Sequence, residues 1–492
     1  MKRFNIQSIA LIFFISCSLF SYSQKQNALD SLFSIADLKS DFATLRSTLE
    51  EVHPGLYLYQ TERSLDSLFK DTELKLNQPM TSIEFAVLLG KLTSQLGDGH
   101  LKLTPSEEFF KTLQSGSYML PFSVSSYDNK LYVSKDLSEV YSEDFMGSQL
   151  ISINGVKMDD FLKEYLSVVS ADGANVTRKH RLLSNERYLS PYFNMLHGLE
   201  SNYTVEYIPL HQSTVKEIKL KGIGFEKFSE LSAQRYPKRE TQKLPIEIQL
   251  DQSNSTAYLR ISTFSKRAYK NSEIDFSGFL KNVFETLQSL SISNLIIDVR
   301  GNSGGEDAYG KTLFSYFIDK DFNYYKSLTM SKDGFESMKY TERPNMKPPP
   351  GMLEKNDLGT YNVVRHPNLG SQKAAMPAFK GNVLVLIDGL SYSTTSEFLS
   401  LLHYHTDALF IGEESGGGYY GNNSGMVPYF TMPKTKIRAK IPLMSYSLAV
   451  QGYAHKDRGI IPDYPVLPTI KDEINGVDVQ LNFAKNLIKK GL

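Results

Sequence analysis

The sequence contains no tryptophan and a single cysteine, Cys17, near its start. A chain cut beyond that point would have no thiol, and therefore no disulfide. Net charge is also missing: Lys+Arg and Asp+Glu balance at 54 each, which argues against the basic face a nucleic-acid partner requires. The nine histidines are scattered and form no His-Glu-x-x-His pair, so no metal or other cofactor is implied. Internal repeats and low-complexity tracts are absent. Tyr and Phe are plentiful at 29 each, and the 492 residues are enough for several domains with sizeable cores.

The N-terminus, "MKRFNIQSIALIFFISCSLFSYSQ", starts with Lys2 and Arg3. An apolar stretch follows from Ile9 to Phe20, then small residues at Ser21 and Ser23. This is the layout of a secretory signal peptide over residues 1–23, with an apolar stretch shorter than the ~20 residues a membrane span needs. It predicts an exported protein of the periplasm, cell envelope or medium. Cleavage before Cys17 would instead leave a lipid-modified cysteine and attachment to a membrane, although Phe14 suits that cut poorly.

One motif points elsewhere. Gly305, four residues, then Gly310-Lys311-Thr312 is a literal phosphate-loop match. Glu306 and Asp307 lie inside the supposed cradle and would repel phosphate. Gly305 also stands several residues past the end of the strand-like run "NLIIDV", and nucleotide is scarce outside the cytoplasm. No nucleotide partner is expected.

Along the chain, residues 24–115 read as an N-terminal helical domain. Leu38, Phe42, Leu45 and Leu49 fall on one helix face, and "TSIEFAVLLGKLTSQL" opens on the cap candidates Thr81 and Ser82. Residues 116–240 change to short alternating strands, and "LISINGVKMDDFLKEYL" resembles the hairpin and helix of a PDZ-like module. Residues 170–200 show no clear period. From 241 to 472 strands and helices alternate, which argues for an α/β core with a mostly parallel sheet. A C-terminal helix is expected over 473–492.

Two strand-to-helix junctions in this core carry candidate chemistry. In "DVRGNSGG" a glycine-rich turn can aim N–H groups at one spot, as an anion or a developing oxyanion requires. In "IDGLSYSTTSEF" five hydroxyl residues crowd a helix start. Capping explains some of them, but a Ser at that place also gains as a nucleophile from the helix dipole and nearby N–H donors.

Together with "AYLRISTF", "LFIGEESGGG" and "DRGIIPDYPV", in this order, the junctions resemble the S41 peptidase family: the C-terminal-processing (tail-specific) proteases and their tricorn-like relatives. The resemblance implies a ClpP/crotonase-like core and a serine endopeptidase acting on peptides or protein tails. It maps the nucleophile to Ser393, with Ser396 in reserve, and the oxyanion donors to the N–H groups of Gly304 and Thr394. The processing proteases pair Ser with a Lys in a Gly-Lys-Gly stretch, whereas the matching place here, "GEESGGGYYGNNSG", has none. That directs the base to His100 of "LGDGH", as in the tricorn-like branch, and the orienting acid to Asp457, with Glu413 and Glu414 as alternatives. The other reading is a catalytically inactive protein of the same fold that binds peptides or apolar ligands.

The leader makes a direct prediction. Mass spectrometry of the native protein should find a mature N-terminus near Gln24. A retained Met1 would refute export, and lipid on Cys17 would favour membrane attachment.

Overall fold

The computed structural model describes residues 29–491 apart from 141, 143, 187 and 238–243. The expected leader, Cys17 and the boundary at 240/241 lie outside these residues. Among the described residues no helix is long and apolar enough to cross a membrane.

Near the start of the described residues lie three helices: α1 (Ile35–Val52), α2 (Glu62–Leu74) and α3 (Ser82–Ser94). Ser34 caps α1 by accepting the Asp37 N–H. Thr81 and Glu84 form a reciprocal capping box on α3, which satisfies N–H groups the helix itself cannot. Leu38, Phe42, Leu45 and Leu49 of α1 are buried, as their spacing predicts. After α3 the chain turns through Gly97–His100 into a short strand, Lys102–Thr104, which pairs with Arg438–Lys440 from the far end of the sequence.

A second unit follows. Strands β1 (Phe122–Tyr127), β2 (Lys130–Asp136), β3 (Gln149–Ile153), β4 (Asn202–Ile208) and β5 (Lys216–Lys221) form an antiparallel sheet in that order. Helices α4 (Met158–Val168) and α5 (Val176–Leu183) are inserted between β3 and β4. The segment without a visible period thus contains α5, capped by Asn175, and a second helix, Leu189–His197. Each is only two turns long, too short to show a repeat of 3.6.

The third unit is a six-stranded sheet in the order β6 (Ile246–Asp251), β7 (Thr256–Ile261), β8 (Asn294–Asp298), β9 (Asn382–Ile387), β10 (Leu409–Gly412) and β11 (Tyr464–Pro465). All neighbours are parallel except β6 and β7. Every residue of β8 is buried, because helices cover both faces of a parallel sheet and favour unbroken apolar runs. The helices include α6 (Phe276–Ser289), α7 (Asp307–Phe314), α8 (Thr394–His405) and α9 (Val479–Lys489). Lys311 of the phosphate-loop match falls in the middle of α7. The end of the chain forms a short helix that spans the 472/473 boundary, Ile470–Ile474, and then α9, rather than one helix over 473–492.

The first helices are fastened to this third unit by two carboxylates of α1, one buried and one half-buried. Asp41 of α1 is fully buried and accepts the N–H groups of Lys434 and Thr435, at 3.0 and 2.7 Å, and the Thr435 hydroxyl. Glu51 at the other end accepts the N–H groups of Glu336 and Ser337. Asp41→Ala strands these donors away from water. It should cost about 3 kcal/mol, read as a lower urea midpoint.

Candidate active site

Strands β8 and β9 are adjacent and parallel, so the turns at their C-terminal ends lie side by side. Asp388, the last residue before the second turn, joins them. Its carboxylate accepts the Gly301 N–H of the first turn at 3.0 Å and the Leu390 and Ser391 N–H groups of the second, also at 3.0 Å. Ser391 Oγ donates to the Val299 carbonyl at 2.9 Å, and Tyr392 N–H donates to the Asn302 carbonyl at 3.1 Å. The acid at the end of this strand is therefore used in fastening one turn to the other.

This frame places Ser393 immediately before α8 with φ 58° and ψ −129°, a region L-residues rarely adopt. The hydroxyl is thereby carried off the helix, and Ser393 makes no side-chain cap bond. Its Oγ meets His100 Nε2 at 3.2 Å, across 293 residues of sequence. Of the other hydroxyls, that of Thr395 is fully buried without a partner and the rest are occupied elsewhere. Ser391 is fully buried. Ser396 Oγ donates to the Ser391 carbonyl and accepts the Gly417 N–H. Thr394 Oγ1 donates to the Gly305 carbonyl at 3.0 Å.

His100 is set by its loop. Asp98 Oδ1 accepts the His100 and Leu101 N–H groups at 2.7 and 3.2 Å, while His53 Nε2 lies 2.8 Å from Asp98 Oδ2, out of line for a hydrogen bond. The far side of the imidazole faces Tyr392, whose Oη is 2.7 Å from Nδ1. Tyr392 Oη donates in turn to Asp172 Oδ1 at 3.3 Å. One assignment satisfies all three contacts: Ser393 donates to Nε2, Nδ1–H donates to Tyr392, and Tyr392 donates to Asp172. Asp172 Oδ1 also accepts the Gly99 N–H at 2.7 Å, and Oδ2 the Gly418 N–H at 3.1 Å. Only glycine fits at 99, since a Cβ there would stand 2.6 Å from Tyr392 Oη. The guanidinium of Arg178, on α5, lies over the Tyr392 ring at 3.3 Å.

The electrostatics follow from burial. Burial pushes the His100 imidazole down to about 3, with Arg178 adding to the push and Asp98 opposing it. Burial and the Asp98 charge push Asp172 up to about 6. Tyr392 is held protonated, well above its ordinary value, by burial and by Asp172. The imidazole therefore stays neutral at ordinary pH, as a proton acceptor must. Acidic and imidazole ligand atoms of Asp98, His100 and Asp172 lie within 4.8 Å of one another. As found, these atoms already make the contacts just described.

The remaining sequence-derived residues fall as follows. Gly304 packs directly on Ser393, where a Cβ would meet the Ser393 Cβ at 2.8 Å. Its N–H donates to Asn302 Oδ1 at 3.0 Å, whereas the N–H groups of Gly305 and Thr394 have no acceptor among the described residues. Asp457 is exposed and makes no hydrogen bond or ion pair with His100 among the described residues. Its carbonyl accepts the Ala174 N–H at 2.9 Å, and Tyr392 occupies the Nδ1 side of the ring. Glu413 pairs with Arg181, and Glu414 with Arg458. Tyr392 and Asp172 escape a reading of the sequence alone. Tyr392 stands beside Ser393 in "SYSTT", but Asp172 lies in the stretch without a period, and only folding brings it near.

This network predicts a pH profile. Protonation of His100, or of Asp172, removes the proton acceptor or its support, so a turnover that uses them falls as pH falls. With both below the ordinary histidine value of 6.5, the acid limb of kcat/KM should lie below pH 6.5. Tyr392→Phe should lower kcat about 10- to 100-fold, the loss of one buried hydrogen bond, with little change in KM.

Residues 255–466 match the family model for Peptidase family S41. A 139-residue stretch is 32% identical to the Peptidase S41 family proteins phomP1 and phomP1' of Diaporthe leptostromiformis, covering 27% of this chain and 20% of each of theirs. The aligned stretch thus spans about a fifth of the length of these curated relatives. Among solved structures, mature CPAF complexed with lactacystin superposes with a TM-score of 0.60 at 16% identity, covering 92% of this chain and 98% of that one. A second structure of mature CPAF gives 0.61 at 15% identity, covering 92% and 97%. At such identities the likeness is one of fold. Over residues 255–466, which hold Ser393 and both turns, this chain is thus similar to the S41 peptidase family, while His100 and Asp172 reach the site from outside that match.

Proposed function

We propose that this protein is an exported serine endopeptidase that hydrolyses peptide bonds in peptides or protein tails. The observation that carries the reading is the 3.2 Å contact between His100 Nε2 and Ser393 Oγ, made by residues at opposite ends of the chain. The S41 match over residues 255–466 supports peptidase chemistry, and the leader-like first 23 residues support export.

In this mechanism Ser393 Oγ attacks the scissile carbonyl and His100 Nε2 takes its proton. The imidazolium that forms is held through Nδ1–H by Tyr392, behind which stands Asp172. Tyr392 and Asp172 together thus take the orienting place for which the sequence offers Asp457. Negative charge on the carbonyl oxygen is met by the Thr394 N–H at the start of α8, where the helix dipole favours it. The second donor comes from the glycine turn. That of Gly304 is given to Asn302, which leaves the N–H groups of Ser303 and Gly305 without an acceptor there among the described residues, and Gly305 is the donor we assign. His100 then returns the proton to the leaving amine, and water repeats the sequence to release the acyl group. The inactive-binder alternative gains nothing from a neutral histidine in reach of a strained serine.

Ser393→Ala should reduce peptide cleavage by about four orders of magnitude or more, abolish labelling by a serine-directed fluorophosphonate, and leave the melting temperature nearly unchanged. Ser396→Ala, which removes two buried hydrogen bonds, should instead cost about 1–3 kcal/mol of stability. Undiminished cleavage by the Ser393→Ala protein would end the proposal.

A further inference from the structure

Two residues beyond His100 lies a feature the catalytic set does not use. The strand Lys102–Thr104 pairs with Arg438–Lys440, which pairs with Tyr429–Thr431. The antiparallel register sets Lys102 opposite Lys440 and Thr104 opposite Arg438. Residues opposite each other project from the same face, with Cβ atoms about 5 Å apart. The alternate residues Ala439 and Phe430 are fully buried on the other face, and Leu103 packs against the core. The outer face therefore gathers three cations. Arg438 is balanced by Glu107 at 3.7 Å and Glu342 at 3.5 Å, and it lies over the Tyr429 ring. Lys102 and Lys440 have no ion pair and no side-chain hydrogen bond among the described residues.

Like charges placed directly across a sheet oppose its pairing. Here Lys102 is exposed and Lys440 half-buried. Lys102 reaches solvent, yet burial by the surrounding protein, with the charges of Arg178 and Lys440, pulls its ammonium down to about 8. The fields of both lysines are felt at His100. Extended chain advances about 3.3 Å per residue, so Lys102 starts about 7 Å from His100.

We propose that Lys102 and Lys440 form a carboxylate-binding subsite beside the Ser393–His100 pair, recognising an acidic group of a peptide within about two residues of the bond to be cut. The group is an Asp or Glu side chain or a chain-end carboxylate. An anion between the two ammonium groups would relieve their mutual repulsion and gain charge-assisted hydrogen bonds. Only the reference to the bond to be cut depends on the peptidase reading. The binding itself can be read without turnover.

The probe is a set of octapeptides with Glu or Gln at each position, every one in free-acid and amidated form, offered to immobilised full-length Ser393→Ala protein. Glu peptides should be retained about fivefold over their Gln counterparts. Lys102→Gln/Lys440→Gln should bring that ratio near one, while Lys102→Arg/Lys440→Arg keeps it. A Lys-dependent preference for free acid over amide, with Glu and Gln equal, would support the subsite and identify the chain end as its ligand. Equal retention of all forms, or selectivity that persists in Lys102→Gln/Lys440→Gln, overturns the proposal. Lys-dependent retention with no cleavage by the unmodified protein would count against the peptidase and leave the subsite standing.

Discussion

One buried carboxylate holds the site together. Asp172 accepts the Gly99 N–H from the N-terminal helices, the Gly418 N–H from the third unit, and the phenol beside the nucleophile. Asp172 itself comes from the segment leading into α5 of the antiparallel-sheet unit. Four regions of the chain thus converge on two oxygens. A carboxylate 4% exposed is expensive to bury without partners, so these segments must arrive together for any of them to be stable there. The Arg178 guanidinium over Tyr392 follows from the same point, since α5 begins just beyond Asp172.

Neutrality of His100 is the electrostatic counterpart. A base that packing keeps uncharged would be ready to accept a proton, and the cost falls on the charged state that exists only during attack. Asp98 limits that cost from one side, and Tyr392 from the other. The strain at Ser393 has a similar logic. A left-handed residue before α8 holds the hydroxyl clear of the cap position, and the bonds made by Asp388 and Ser391 keep the turn from relaxing.

Much of this was legible in the sequence wherever local rules act alone. The face of α1, the cap of α3, the alternating strands and the buried run of β8 all follow from period and capping. The two glycine-rich junctions were visible because nests and helix starts have compositional signs. Ser393 and His100 were found through a resemblance rather than through spacing. The orienting group was not legible. Asp457 has the right place in the sequence, but its backbone serves the Gly173–Ala174 turn, and a tyrosine side chain fills the space beside His100. Gly304 has the right place too, yet Asn302 two residues earlier takes its N–H, an effect of turn geometry that composition does not record. The helices around residues 176–197 were missed because two turns are too few to show a period.

The order of these residues along the chain has a further consequence. Synthesis produces His100 first and Ser393 only 293 residues later, and the strand pair Lys102–Lys440 closes later still. A nascent or partly threaded polypeptide holds one half of the pair without the other. The cell that makes this chain therefore meets no assembled site until nearly the whole of it has emerged and folded.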